Sequence, residues 1–326
     1  VSDPHPVSLL DRRLVIVTGK GGTGKTTVAA ALALAAQRAG RRVLVAEMAR
    51  DEALVRLLDP GAAPVGYAGR ELRPGLTVMR IDPFAALAEY LGLQLGMRIV
   101  VDRVLRNRGF RQLMTASPGW RELITLGKVW HLEQMREADG QPRFDLLVVD
   151  APATGHGVAF LNVPRVVVSA VRAGPLRRHA QAVERLLEDP VRTLLLPVAL
   201  AEELPTRETA ELVSAVQREV GIAIDRVVVN AVVPAPFPPG LETLDEQLRR
   251  LPSEQRFGEL PRCGTLASCA GFLRARHELC RTYVGLIREL TDLPLVCLPQ
   301  LVEGIQAAGA LERLGEALLR PPQGRG

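Results

Sequence analysis

Leu14-Val15-Ile16-Val17-Thr18-Gly19-Lys20-Gly21-Gly22-Thr23-Gly24-Lys25-Thr26-Thr27 runs from a short apolar, β-branched segment through a glycine-rich turn into a stretch, Thr27 to Ala39, where alanine and leucine recur at helical spacing. Strand, tight loop and helix in that order decide the fold class. Within the stretch, Gly19-x-x-x-x-Gly24-Lys25-Thr26 has the spacing of a phosphate-binding loop, in the strand-to-helix context such a loop requires. Its glycines let consecutive backbone N–H groups converge on one anion, and the first turn of the helix adds a partial positive charge. Lys25 is expected to reach the β- and γ-phosphates, and the Thr26 hydroxyl to face Mg²⁺. Gly19 to Thr27 is therefore the predicted nucleotide site, with Mg·ATP as its ligand.

Composition narrows the remaining choices. Apolar residues make up 47% of the 326, enough to bury a large core. No apolar run nears the roughly 20 residues of a membrane span, and no basic-then-apolar leader opens the chain. A soluble, cytoplasmic protein without stable membrane insertion is expected. The net charge of +5 is spread without a block of like charges, which points to a solvated basic surface and not to a nucleic-acid partner. Of the 41 basic residues only Lys20, Lys25 and Lys128 are lysines. Two of them fall in the glycine-rich loop, so that loop needs a compact ammonium where the rest of the chain uses guanidinium. Cys263, Cys269, Cys280 and Cys297 contain no C-x-x-C pair, and free thiols are expected in place of a disulfide framework.

Buried-strand runs recur at Arg42 to Glu47, Leu76 to Ile81, Asp145 to Asp150, Val191 to Val198, Asp225 to Val233 and Leu293 to Leu298, mostly separated by helical patterns. This alternation predicts an α/β protein with a mainly parallel sheet, helices on both faces and ligands at the carboxyl ends of the strands. Two long helical segments break it, Phe84 to Ala138 and Gly157 to Glu188. The first carries Leu87, Tyr90, Leu91, Leu95, Ile99, Val100, Val104 and Leu105 at helical spacing and ends in a second helix from Trp120 to Met135. In the other, Val166-Val167-Val168 has strand propensity but is read as helix. With only a Pro-rich turn at Pro234 to Pro239 and a Pro/Gly tail after Arg320, the reading is one domain over 1–326 with a helical subdomain, 84–138 and 157–188, inserted in it.

Phe144-Asp145-Leu146-Leu147-Val148-Val149-Asp150 supplies a buried strand ending in a carboxylate, and Asp150 is the candidate to hold the Mg²⁺ water shell with Thr26. The small-residue loop Ala151-Pro152-Ala153-Thr154-Gly155-His156 follows. At these residues a resemblance emerges. Lys20-Gly21-Gly22-Thr23-Gly24-Lys25-Thr26 is similar to the deviant Walker A loop, with its extra lysine, of the MinD-like ATPases. Asp150 to His156 resembles the D-T-A-P-T-G-H switch of the arsenical-pump (ArsA-type) ATPase family, which includes the targeting factor for tail-anchored membrane proteins. Pro118-Gly119 ahead of a helix with Glu122, Glu202-Glu203-Leu204-Pro205-Thr206-Arg207-Glu208-Thr209 after a strand, and Val229-Asn230 at a strand end extend the likeness over nearly the whole chain.

The resemblance implies a dimeric ATPase, with a homodimer or a heterodimer with a paralogue as the alternatives. Lys20 would cross the interface to the partner's phosphates, Asn230 would hydrogen-bond the adenine edge, and the loop at Pro299-Gln300-Leu301 would lie near the base. An Asn that merely ends a strand is the plainer reading of Asn230. In the related ATPases an Asp after the second strand orients the attacking water; an ungapped alignment of Val43 to Arg50 puts Ala49 there. Glu47 is then the candidate carboxylate, either to contact the Mg²⁺ shell or to take over the water, Asp51 and Glu52 reading as a solvated helix start, and turnover is expected to be slow. Metalloid transport is not supported, because no cysteine precedes Cys263, and Cys263/Cys269 depart from the C-x-x-C of a zinc-linked dimer, so zinc is not expected. Two functions stay open: an ATP-driven factor handling a hydrophobic client along the Phe84 to Ala138 helices, with Met97 and Met114 as adaptable lining, or a nucleotide-gated regulatory or assembly protein.

Overall fold

A computed structural model of the chain describes residues 8–48, 53–95, 107–109, 112, 114, 119–152 and 157–322. One eight-stranded sheet has the order β3-β4-β2-β5-β1-β6-β7-β8. Its strands are β1 (Leu14–Thr18), β2 (Val43–Glu47), β3 (Arg70–Arg73), β4 (Leu76–Arg80), β5 (Leu146–Asp150), β6 (Thr193–Leu200), β7 (Val227–Val232) and β8 (Leu295–Pro299). Every neighbouring pair is parallel except β3 with β4.

β1, β2 and β5 are buried along their whole length, which apolar runs of this kind require when helices cover both faces of a parallel sheet. Alternate side chains of β1 enter opposite cores. Val15 and Val17 pack with α1 (Lys25–Arg38), α2 (Ala53–Leu58) and α10 (Ala310–Leu319). Leu14 and Ile16 pack with α4 (Trp120–Gln134), α5 (Gly157–Ala170), α6 (Pro175–Glu188) and α7 (Glu203–Glu219). The alanine content of α1 has a physical use: a Cβ on Gly315 of α10 would lie 2.8 Å from the Ala31 carbonyl oxygen and 2.9 Å from the Ala35 Cβ, so these helices meet almost backbone to backbone.

Two intervals depart from expectation. β3 was not foreseen, because Arg70-Glu71-Leu72-Arg73 has no apolar run; it is an exposed edge, where charged side chains are the usual guard against further pairing. The interval between β7 and β8, where only the Pro-rich turn at Pro234 to Pro239 was singled out, also holds α8 (Leu244–Arg249) and the long α9 (Cys263–Thr291). α9 covers β6 to β8 through Ile287, against Val213 of α7. Val166 to Val168 lie in α5, in keeping with the helical reading, and α1 begins at Lys25, directly after the glycine-rich loop. Between β4 and β5, α3 (Pro83–Leu95) and α4 meet through Ala86, Leu87 and Ile124. Met97, Ile99, Val100, Val104 and Leu105 lie outside the described residues.

At the amino ends of the strands one carboxylate ties three elements. Glu133, near the end of α4 and only 1% exposed, receives Arg13 Nε at 3.3 Å and the Arg192 guanidinium. Arg13 precedes β1 and Arg192 precedes β6. Burial alone would raise the Glu133 carboxyl, but the hydrogen bonds and charges of Arg192 and Arg13 together hold it below the usual carboxylate range.

Candidate functional site

The opposite pole, at the carboxyl ends of β1, β2 and β5, gathers the predicted residues. Gly19 leaves β1 at φ 146°, where a Cβ would sit 2.3 Å from the Val198 carbonyl oxygen of β6; only glycine lets the loop pass that close to the neighbouring strand. Gly24 caps α1 at φ 86°, and a Cβ there would meet Asn230 Nδ2 at 2.1 Å. Asn230 itself donates from Nδ2 to the Thr23 carbonyl at 2.9 Å, so it braces the loop from β7. The Thr23 hydroxyl and the Lys25 ammonium both donate to the Lys20 carbonyl, each at 2.9 Å. Gly21 and Gly22 are exposed at the top of the loop, and Thr27 is half-buried in the first turn of α1.

Lys25 is only 8% exposed, and burial lowers its pKa against the opposing charge of Asp150. An anion arriving at the loop reverses that, since a nearby opposite charge favours the ammonium. Pairing of β5 with β1 places Asp150 level with Val17, and the Thr26 hydroxyl donates to Asp150 Oδ2 at 2.7 Å. A hydroxyl and a carboxylate oxygen thus face each other beside the loop lysine, a donor set suited to a hard, oxygen-seeking cation such as Mg²⁺.

Glu47 is in register with Asp150 across β2 and β5, and it is buried. Its Oε1 accepts the Leu54 N–H at 3.4 Å, so it also anchors the start of α2. Pro299 ends β8 level with Val232, two residues beyond Asn230. Between them Ala231 adopts φ 52°, a sparsely populated conformation for a residue with a Cβ, at an irregularity in the β7–β8 pairing. Ala49, Asp51, Glu52, Pro118 and Ala153 to His156 lie outside the described residues.

Lys20, expected to act across a dimer interface, has a partner within the subunit. Its ammonium pairs with the Glu208 carboxylate on α7. Glu208 went unrecognised as a partner, although it stands in the quoted motif after β6 and β6 is the neighbour of β1. Both residues also line an open cavity of about 1290 Å³ between α3, α4, α5 and α7, whose walls include Trp120, Ile124, Phe160, Val163 and Leu212, with Met114 among them. Cys263 is buried and Cys269 exposed, and among the described residues no cluster of three or more His, Cys, Asp or Glu is placed to hold a metal. Among the described residues no helix is long and apolar enough to cross a membrane.

Comparison with known proteins agrees with this geometry. The sequence model of the ArsA ATPase family, described as anion-transporting ATPase, matches residues 12–178. The ATPase BagA of Mycobacterium tuberculosis is 30% identical over 330 residues, covering 96% of this chain and 94% of that protein. The ATPase get3 of Schizosaccharomyces japonicus is 25% identical over 94% of this chain and 92% of its own length. The arsenical pump-driving ATPase of Acidiphilium multivorum is 28% identical over 67% of this chain and 39% of its own length. With its phosphate loop on β1 and its acidic strand end on β5, the chain belongs to the ArsA-type ATPase family, as an ATP-hydrolysing member.

Proposed function

We propose that the protein is a Mg·ATP-dependent dimer, homomeric or formed with a paralogue, whose nucleotide-driven closure handles a hydrophobic client or partner protein. The observation that carries this reading is the apolar cavity with the second loop lysine at its wall. One residue, Lys20, then belongs both to the nucleotide loop and to the surface a client would occupy. That continuity favours client handling over a nucleotide-gated switch with no cargo. The reading treats 1–326 as a single P-loop domain, with 84–138 and 157–188 as a helical subdomain contributing the cavity.

In this mechanism the backbone N–H groups of Gly21 to Thr26 cradle the phosphates, and Lys25 exchanges its bond to the Lys20 carbonyl for the β- and γ-phosphate oxygens. Thr26 and Asp150 would hold Mg²⁺, which when bound neutralises charge on the phosphate oxygens. Glu47 stands beside Asp150 as the carboxylate that orients water, in the absence of an Asp at Ala49. Asn230, on β7, would hydrogen-bond the adenine edge, and Pro299, at the end of β8, would lie near the base. Lys20 reaches the partner's phosphates, adding positive charge where negative charge develops.

Light scattering with and without a non-hydrolysable ATP analogue tests the closure. Doubling of mass with the analogue, and normal nucleotide binding but impaired hydrolysis in Lys20→Ala, are expected. A Lys20→Ala dimer that hydrolyses at the wild-type rate excludes the in-trans role.

A further inference from the structure

The path from β1 to β6 explains why Lys20 and Glu208 meet. The glycine-rich loop leaves β1 pressed against the β6 backbone at Val198, and α7 begins at Glu203, shortly after β6 ends. The second turn of α7 is thereby brought to the loop, with Thr206 and Thr209 buried beneath it. The Lys20 main chain is held by the Thr23 hydroxyl and the Lys25 ammonium on its carbonyl. What remains to move is the Lys20 side chain, 43% exposed and pointed at Glu208.

We propose that Glu208 is a positioning residue for Lys20: it holds the ammonium against α7 in the open subunit, so that closure over nucleotide requires this ion pair to break. The inference rests on the reading that Lys20 acts across the dimer. Two further observations support it. Glu208 Oε2 is buried and has no hydrogen-bond partner among the described residues, so the carboxylate depends on Lys20 for its compensation. The neighbouring cation, Arg207, is turned to Glu203 at 3.2 Å, and the cavity lining carries three more acids, Glu122, Glu211 and Glu219. An ammonium leaving this place abandons a poorly solvated anion, which opposes dimer closure until something else neutralises it. The pair therefore sets a threshold for closure, and that threshold lies on the cavity wall.

The test is a double-mutant cycle on the full chain, read as the protein concentration at half-dimerisation with a non-hydrolysable ATP analogue. Glu208→Gln is expected to lower that concentration by roughly two- to fivefold, the usual worth of a partly exposed ion pair, with monomer affinity for nucleotide unchanged. Glu211→Gln serves as the control and should change nothing. On a Lys20→Ala background, Glu208→Gln should have no effect. If Glu208→Gln loses cooperative unfolding, Glu208→Asp, which withdraws the charge from Lys20, should shift closure in the same direction. An unchanged or weaker dimer in Glu208→Gln, or the same gain without Lys20, overturns the proposal. Impaired hydrolysis in Lys20→Ala with wild-type behaviour of the Glu208 variants removes this inference alone. Unimpaired hydrolysis in Lys20→Ala removes the in-trans reading and this inference together.

Discussion

Lys25 and Glu47 illustrate how much a single side chain is asked to do at the strand ends. The Lys25 ammonium is buried and already committed to a carbonyl of its own loop, so it is aimed before any ligand arrives. Lys25→Ala is expected to reduce nucleotide binding or turnover on the order of 10²-fold or more, as for other preorganised charge donors; calorimetric titration and phosphate release measure it. Glu47 is different, because the Leu54 N–H also depends on it. Glu47→Ala would mix chemistry with loss of an anchor for α2. Glu47→Gln keeps the acceptor and removes the charge, and it should lower turnover by about 10² while leaving the unfolding midpoint in place. Rapid phosphate release from Glu47→Gln would place the water-orienting carboxylate elsewhere.

Among the elements, the strands were the most legible. Leu14 to Thr18, Arg42 to Glu47 and Asp145 to Asp150 read as buried because they are, while their order in the sheet was not read from the sequence. β3 was illegible for the opposite reason: a solvent-facing edge strand needs charges, and charges in sequence look like a loop. α9 was masked by its own composition, since Arg274, Arg276, Arg281 and Arg288 interrupt the apolar spacing of a helix that buries mainly one side. The site was legible in its loop and in Asp150, whose residue types are dictated by local backbone and chemistry. The Lys20–Glu208 pair was not, being set by which strands become neighbours. α4 offers a test of the same kind of non-local tie. Glu133→Ala, leaving two arginines without their buried carboxylate, should destabilise the fold by about 3–5 kcal/mol, measured by urea unfolding. Since its carboxyl is held below the ordinary value of 4.5 in the folded state, the contribution is complete above that pH. It fades as pH falls through the lower folded-state value, so the wild-type protein should lose part of its stability on acidification and the variant less.

Across the whole molecule, the two ends of the sheet have separate duties. The amino ends are bound together by Glu133, Arg13 and Arg192, while the carboxyl ends hold the loop, Asp150 and Glu47. Substitutions at the first pole should change unfolding with little effect on phosphate release, and those at the second should do the reverse, Glu47→Ala excepted because it also frees the Leu54 N–H. The helices on one face of the sheet extend this division. α1 and α10 are locked in close approach, whereas α3, α4, α5 and α7 surround open apolar space.

The scarcity of lysine also turns the protein into its own reporter. Lys25 is 8% exposed, and the Lys128 side chain is 11% exposed and paired with Glu89 at 2.7 Å. Lys20, at 43%, is the ε-amine most open to a reagent from solvent. Brief treatment with an amine-directed acylating label should therefore mark Lys20 ahead of the other two lysines. The yield of that one adduct, followed by mass spectrometry, tracks whether the side chain is clasped, free or buried under a partner, without any introduced probe.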